Sequence, residues 1–463
     1  MIKYLFRFLF LIIIAIFFSC NYNSKNSATY FGGKIINPKS NYVVLYSLEE
    51  VIDTFFLNKK NKFIGEIKNP KEGLYYFKHG IENQYIYIEP KDSLMLRLNS
   101  WDFDESLVFS GRGAERNNVL IDYFIQGEKD NKMFYFYNKL NPTEFQKKTD
   151  SLLDLKLKTY NNYVNNHTEE TNGYKSFLKV ALTYPIYARI EKYPVAHIKY
   201  SKEKEFPKTN KDFYKHRKIV DINNDTLMYY YPYSKYISNF LYNTTYSLGH
   251  KPMDNEYSSK FTIDLLNTTS NKINSSVSRD AILKQTVLEH FYKRSNCDLY
   301  DDVFNEFFKL SENEQDKEHL TKLLNDSKSV LKNEKIVDFV ITDFNKKEHS
   351  IKNIIRGKNS FLFFWNPEYS SPIYISSRIN YLSRKFPEVK FVIIRSGENS
   401  NKKIKKLNIK TQYYINEESK ANNFLTSKMP RAIIINKKGI VTNGYASISS
   451  NKIFKQLKEL AKN

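Results

Sequence analysis

The sequence predicts a multidomain α+β chain: a β-sandwich-like front, a helical middle and an α/β back. Three observations predict it. Up to about residue 113, short β-branched and aromatic runs are separated by Pro, Gly, Asn and Asp turns. From 114 to about 334 the apolar residues recur at helical spacing. The continuous apolar run Ser360-Phe361-Leu362-Phe363-Phe364-Trp365 is then closed by a Pro-containing turn and followed by an amphipathic segment over 375–386, a buried strand feeding a helix. At 463 residues the chain has room for two to four domains, at roughly 100–200 residues each.

The first residues read as a leader. Lys3 and Arg7 precede an apolar run over 8–18, short of the roughly 20 residues a spanning helix needs, so 1–19 is read as a signal peptide. The run ends Phe17-Phe18-Ser19-Cys20, which resembles a bacterial lipobox. That resemblance implies that Cys20 is acylated and becomes the mature N-terminus; the other reading is an ordinary cleavage site with a chance cysteine. Residues 20–28 form the lipidated Cys and a polar tether. The tether lacks an acidic run, and Asn21 stands where an inner-membrane retention signal has Asp, so the expectation is the periplasmic face of the outer membrane.

Strands are expected at 31–36, 42–46, 51–57, 62–67, 73–79, 84–88, 93–98 and 106–110, a small sandwich or barrel over 29–113. Gly33-Lys34-Ile35, Phe63-Ile64-Gly65-Glu66-Ile67, Ile88-Glu89-Pro90-Lys91-Asp92-Ser93-Leu94 and Phe109-Ser110-Gly111-Arg112-Gly113-Ala114-Glu115-Arg116-Asn117 follow in that order. This resembles the β-rich domain that precedes thioredoxin domains in bacterial lipoproteins.

The helical domain is read over 114–334. Asn141-Pro142-Thr143-Glu144 offers an N-cap with Pro at the first helical position, and further helices are expected from Ser278, over 301–310 and over 312–331. Tyr229-Tyr230-Tyr231-Pro232-Tyr233 is an aromatic cluster that either lines a sugar or peptide groove or makes a core or interdomain contact. Asp298, Asp301 and Asp302 lack the Gly and terminal Glu of a calcium loop and are read as helix N-terminal charge.

Residues 335–463 read as a third domain. Strands at 390–395, 431–436 and 439–443 follow the run at 360–365, giving the order βαβ, loop, Pro, β-hairpin, helix. Phe364-Trp365 and this order resemble the thioredoxin fold, in particular TlpA-like membrane-anchored thiol-disulfide oxidoreductases, which carry Phe-Trp-Ala-x-Trp-Cys-x-x-Cys at this place. Counting along that motif puts its two cysteines at Tyr369 and Pro372. Exchange needs an attacking and a resolving thiol, and a Tyr hydroxyl with a reference pKa near 10 serves as neither. Ser370 and Ser371 read as a helix N-cap and not as nucleophiles. The resemblance further implies a cis bond at Met429-Pro430 and a peptide-docking edge beside it. Trp365, Tyr369, Met429 and Pro430 then either form an apolar peptide-binding patch or only close the fold.

Only Cys20 and Cys297 are present, so an acylated chain has one thiol and no internal disulfide. Lys+Arg 72 against Asp+Glu 50 gives a formal net charge of +22, with lysines scattered in ones and twos. A nucleic-acid partner is not expected in the cell envelope; attraction to anionic lipid or glycan headgroups near the anchor is the residual reading of the charge. Eight His residues show no metal-site spacing and no phosphate loop appears, so neither metal nor cofactor is expected. The functional expectation is a redox-inactive, membrane-anchored lipoprotein that binds an envelope protein or peptide. Two alternatives stay open: residual thiol-disulfide chemistry through Cys297, and glycan binding by the Tyr-rich middle.

Overall fold

A computed structural model describes residues 28–252, 258–294, 302–367, 370–396, 409 and 412–462. Cys20, Cys297, Asp298, Asp301 and Tyr369 lie outside the described residues, as does the leader. The chain forms two compact units: Met1–Tyr193 with Lys208–Tyr214 and Tyr229–Tyr236, and Pro194–Pro207 with Lys215–Met228 and Ile237–Asn463. The helices of 114–334 are divided between them.

The first unit begins with eight strands, β1 (Thr29–Ile36), β2 (Tyr42–Ser47), β3 (Glu50–Phe56), β4 (Lys62–Ile67), β5 (Gly73–His79), β6 (Glu82–Ile88), β7 (Ser93–Asn99) and β8 (Val108–Ser110). They form two four-stranded sheets, β4-β1-β7-β8 and β3-β2-β5-β6, in which β1 and β7 are parallel and the other pairs antiparallel. Alternation along the strands turns Phe31, Ile35, Leu94, Leu96 and Leu98 of one sheet and Val43, Leu45, Phe77 and Ile86 of the other into one core.

Helices α1 (Ala114–Tyr137), α2 (Pro142–Asn166), α3 (Asn172–Ser201) and α4 (Tyr231–Tyr246) follow. Asn141 caps α2 by accepting the Glu144 N–H at 3.0 Å, with Pro142 at the first helical position. Tyr230 packs 4.9 Å from Phe177 and 5.1 Å from Tyr85, and buried Tyr233 stacks on Tyr184 at 5.5 Å. Within this unit the Tyr cluster therefore makes core contacts, while Tyr231 is turned outward.

The motif residues of the β-rich domain meet around Arg116. Its guanidinium donates to Asp92 Oδ2 at 2.8 Å, Glu89 Oε2 at 2.9 Å and Glu170 Oε2 at 3.0 Å. Asn117 clasps Tyr87 through both backbone groups, at 2.8 and 2.9 Å. Gly111 and Gly113 both sit at φ 88, and a Cβ on Gly111 would stand 2.1 Å from the Ser93 carbonyl, so the turn requires glycine. Burial pushes the Asp92 carboxyl up to about 6 despite the neighbouring guanidinium.

The second unit holds α5 (Ser259–Lys272), α6 (Ser276–Arg294), α7 (Asp302–Leu310) and α8 (Glu314–Lys328). Its sheet is built from β9 (Val340–Asp343), β10 (Glu348–Ser350), β11 (Ser360–Trp365), β12 (Lys390–Arg395), β13 (Gln412–Tyr414), β14 (Arg431–Ile435) and β15 (Val441–Ala446), with helices α9 (Ile351–Ile355), α10 (Pro372–Lys385) and α11 (Ile453–Lys462). The strand order is β10-β9-β13-β12-β11-β14-β15. Central β11 is buried throughout, parallel to β12 and antiparallel to β14. This is the βαβ, loop, hairpin and helix order of a thioredoxin-like sheet.

Phe361, Phe363 and Trp365 face a core shared with Ile375, Ile379 and Leu457, while Leu362 and Phe364 face a second core with Phe339 and Phe424. A third cluster, with Leu283, Val287 and Phe291 of α6 and Phe304 and Phe307 of α7, takes in Tyr445 of β15 and Met429. The last strand runs over 441–446 instead of 439–443, because Gly439, at φ 79, still belongs to the turn.

Asp92 yields a signed pH prediction. Its folded value lies above the unfolded one near 3.9, so folding takes up a proton there. The associated stability is complete below about pH 3.9 and is lost as pH rises through about 6. Asp92→Asn removes this dependence, so between pH 4 and pH 7 the variant should gain on wild type by on the order of 2–3 kcal/mol. Thermal midpoints measured across that range check it; parallel curves for the two proteins contradict it.

Candidate functional site

Three loops converge where the second unit's sheet presents the end of β11. The first leaves β11 and enters α10, where Ser371 caps the helix by accepting the Tyr374 N–H at 3.4 Å and Pro372 takes the first helical position. The second precedes β14 and carries Met429 and Pro430. The third, after β15, is fastened to α10: the Ile448 carbonyl accepts from Arg378 Nε at 2.8 Å, and the Tyr374 and Ser449 hydroxyls bond at 2.9 Å.

The three loops border a cavity of about 550 Å³ whose remaining wall is α6. Ser370, Ser371, Ser447 and Ser449 line it with hydroxyls, and Phe363, Ile375, Leu288 and Met429 with hydrocarbon. From α6, Gln285, Glu289 and Lys293 contribute polar ends. The Tyr292 hydroxyl donates to the Pro430 carbonyl at 3.3 Å, and burial holds the phenol well above its ordinary pKa, so it stays a neutral donor. The Lys293 carbonyl, at the last turn of α6, accepts from Ser450 Oγ at 3.1 Å, which ties the helix end to the third loop.

Of the residues singled out from sequence, Ser370, Ser371, Met429 and Pro430 are brought together around the cavity. Trp365 is not. At 2% exposure it belongs to the core it shares with Phe361 and Phe363, its carbonyl accepting from Ser396 N–H at 3.0 Å.

The expected cis bond at Met429-Pro430 is also corrected: no described peptide bond is cis. The trans form is intrinsically favoured by about 0.5–1 kcal/mol, and the chain direction is set instead by Lys428, at φ 58, and by an anchor upstream. The Met429 N–H donates to Ser427 Oγ at 3.4 Å and the Pro430 carbonyl is taken by Tyr292, so both groups already have partners.

That anchor was not read from the sequence. The Asp326 carboxylate, at the end of α8, accepts from the Thr426 and Ser427 N–H groups at 2.9 and 2.8 Å and from their hydroxyls at 2.8 and 2.6 Å. Arg431, buried at the head of β14, donates to the Asp326 and Phe424 carbonyls at 2.8 and 2.7 Å and to the Gly444 carbonyl, with its guanidinium 4.3 Å above the Tyr445 ring. The signal available was a single cation opening an otherwise apolar strand. Gly444 completes the fit: a Cβ there would stand 2.0 Å from the Val330 carbonyl.

No protein-family model and no curated protein matches the chain. Among solved structures, a candidate thiol-disulfide oxidoreductase from Bacteroides vulgatus is similar over 29% of this chain and 99% of its own, at 22% identity and TM-score 0.24. The thioredoxin domain of a thiol-disulfide oxidoreductase from the same organism gives 14% identity over 29% and 99%, at TM-score 0.23. The exposed lipoprotein thioredoxin Etrx1 of Streptococcus pneumoniae gives 17% over 27% and 100%, at TM-score 0.22.

Replacing Asp326 should loosen the second loop specifically. Asp326→Ala strands the buried Ser427 N–H and hydroxyl and frees the part-buried Thr426 groups, a loss of roughly 2–4 kcal/mol. Urea unfolding should register that loss, and amide exchange should quicken over 424–431. Unchanged exchange there contradicts the anchoring role.

Proposed function

We propose that the chain is an envelope lipoprotein, held through acylated Cys20 at the periplasmic face of the outer membrane, whose thioredoxin-like sheet docks an extended protein segment without redox chemistry. The observation that carries this reading is the cavity beside Ser370, Ser371, Met429 and Pro430, next to a loop whose sequence, Asn366 to Pro372, contains no thiol. At about 550 Å³ it falls in the ordinary size range of ligand sites and mixes hydrocarbon with hydroxyls, which suits a few side chains of an extended chain. Serines at the two thiol-flanking places offer hydrogen bonds but no accessible disulfide state.

The test uses carboxymethylated, permanently unfolded lactalbumin as a thiol-free probe. Wild type should bind it at micromolar strength, and Gln285→Trp, at an exposed helical position on the cavity wall, should weaken binding at least about tenfold. Insulin reduction by dithiothreitol should run at the buffer rate. Equal binding by both proteins, or insulin turnover that disappears in Cys297→Ser, contradicts the reading. For the anchor, palmitate label should enter wild type and not Cys20→Ala; equal labelling removes that part.

A further inference from the structure

The outer face of the sheet β4-β1-β7-β8 carries a charge arrangement that folding alone does not favour. Register places Lys62 of β4 opposite Lys34 of β1, Lys34 opposite Arg97 of β7, and Arg97 opposite Val108 of β8. All four are exposed, because their strand neighbours Phe63, Ile35, Leu96 and Phe109 point into the core. With strands about 4.8 Å apart, three cations stand in a line within about 10 Å. Directly opposed like charges destabilise a sheet.

No carboxylate occupies this row, and among the described residues none of the three cations makes an ion pair. Glu66 lies four residues from Lys62 along β4, and Asp102 sits beyond the row, bridged to Asn99. The same face exposes hydrocarbon beside the charges: Ile64 at 68% and Val108 at 57%, with Trp101 at 76% just past the end of β7.

We infer that this face docks on the surface of an anionic lipid bilayer, with Lys34, Lys62 and Arg97 toward lipid phosphates and Ile64, Val108 and Trp101 at the headgroup boundary. Three features favour a bilayer over an acidic protein or a nucleic acid. The surface is a sheet face and not a groove. Exposed Ile64 and Val108 stand beside its row of cations, and an exposed indole sits at its rim, the residue type most at home at a membrane interface. The sheet is also the first described element after the apolar run of residues 8–18: β1 begins at Thr29, nine residues beyond Cys20, a tether of at most about 30 Å. Docking does not require the acyl anchor of the proposed function, and the test is made without it.

The test uses the chain from residue 21 onward, which keeps every described residue, sedimented with vesicles of phosphatidylethanolamine plus phosphatidylglycerol or of phosphatidylcholine alone. Wild type should sediment with the anionic vesicles, release at high salt and ignore phosphatidylcholine. Each basic residue near such a surface is worth about fivefold in affinity, so Lys34→Thr/Lys62→Thr/Arg97→Thr should lose about 100-fold. A control, Lys147→Gln/Lys148→Gln/Lys158→Gln on the exposed side of α2, removes the same charge and should lose little.

Threonine suits an exposed strand and relieves the repulsion, so the triple variant's thermal midpoint should not fall. Were it to misfold, Lys34→Thr alone should still show about a fivefold loss. Equal losses in both triple variants would reduce the effect to net charge and overturn the proposal. So would absence of anionic-vesicle binding, including the case in which polyglutamate or duplex DNA binds instead.

Discussion

A buried guanidinium has to be given acceptors, and much of the second unit's architecture follows from how Arg431 obtains its own. Leaving such a charge without partners in the interior costs several kcal/mol. Arg431 meets this need with three carbonyls drawn from α8, the second loop and β15, and it lies over the Tyr445 ring. The Asp326 carboxylate closes the arrangement by collecting the Thr426 and Ser427 groups. The end of α8, the approach to β14 and the close passage at Gly444 are thereby held to one geometry, and Met429 and Pro430 emerge from it at a fixed place on the cavity rim.

What the cavity can do follows from its wall. Loops alone do not enclose it: α6 supplies one side, and Tyr292 and Ser450 fasten the helix to the loops. The Met429 N–H and the Pro430 carbonyl are already engaged. The proposed docking would draw on side-chain contacts with Leu288, Ile375 and Met429 and on the serine hydroxyls. A lining of this kind suits shape and hydrophobicity, and residues 366–372 of its loop contain no thiol.

Much of the fold was legible because its signals are local. The β-branched and aromatic runs over 62–67 and 73–79 match β4 and β5 residue for residue, and the caps at Asn141 and Ser371 were visible as residue types at the right offsets. Strands β10 and β13, three residues each, are too short to show a period. A continuous apolar run likewise does not say which face each residue takes, and Trp365 therefore fell to the core. The polar anchors were hidden for a different reason: Arg116 and Glu170 are 54 residues apart, and Asp326 and Ser427 101 apart, so no periodicity connects them. The Met429-Pro430 geometry was inherited from a resemblance, and the local anchor at Asp326 shows how the loop manages without it.

In the proposed docking, the three loops and α6 act as one site. Amide hydrogen exchange on the full chain, with and without carboxymethylated lactalbumin, tests it most directly. Binding there should slow exchange together over 285–293, 427–431 and 447–450, leaving the first unit's strands unchanged. Protection confined to any other region, with these three segments unaffected by a bound probe, would contradict it.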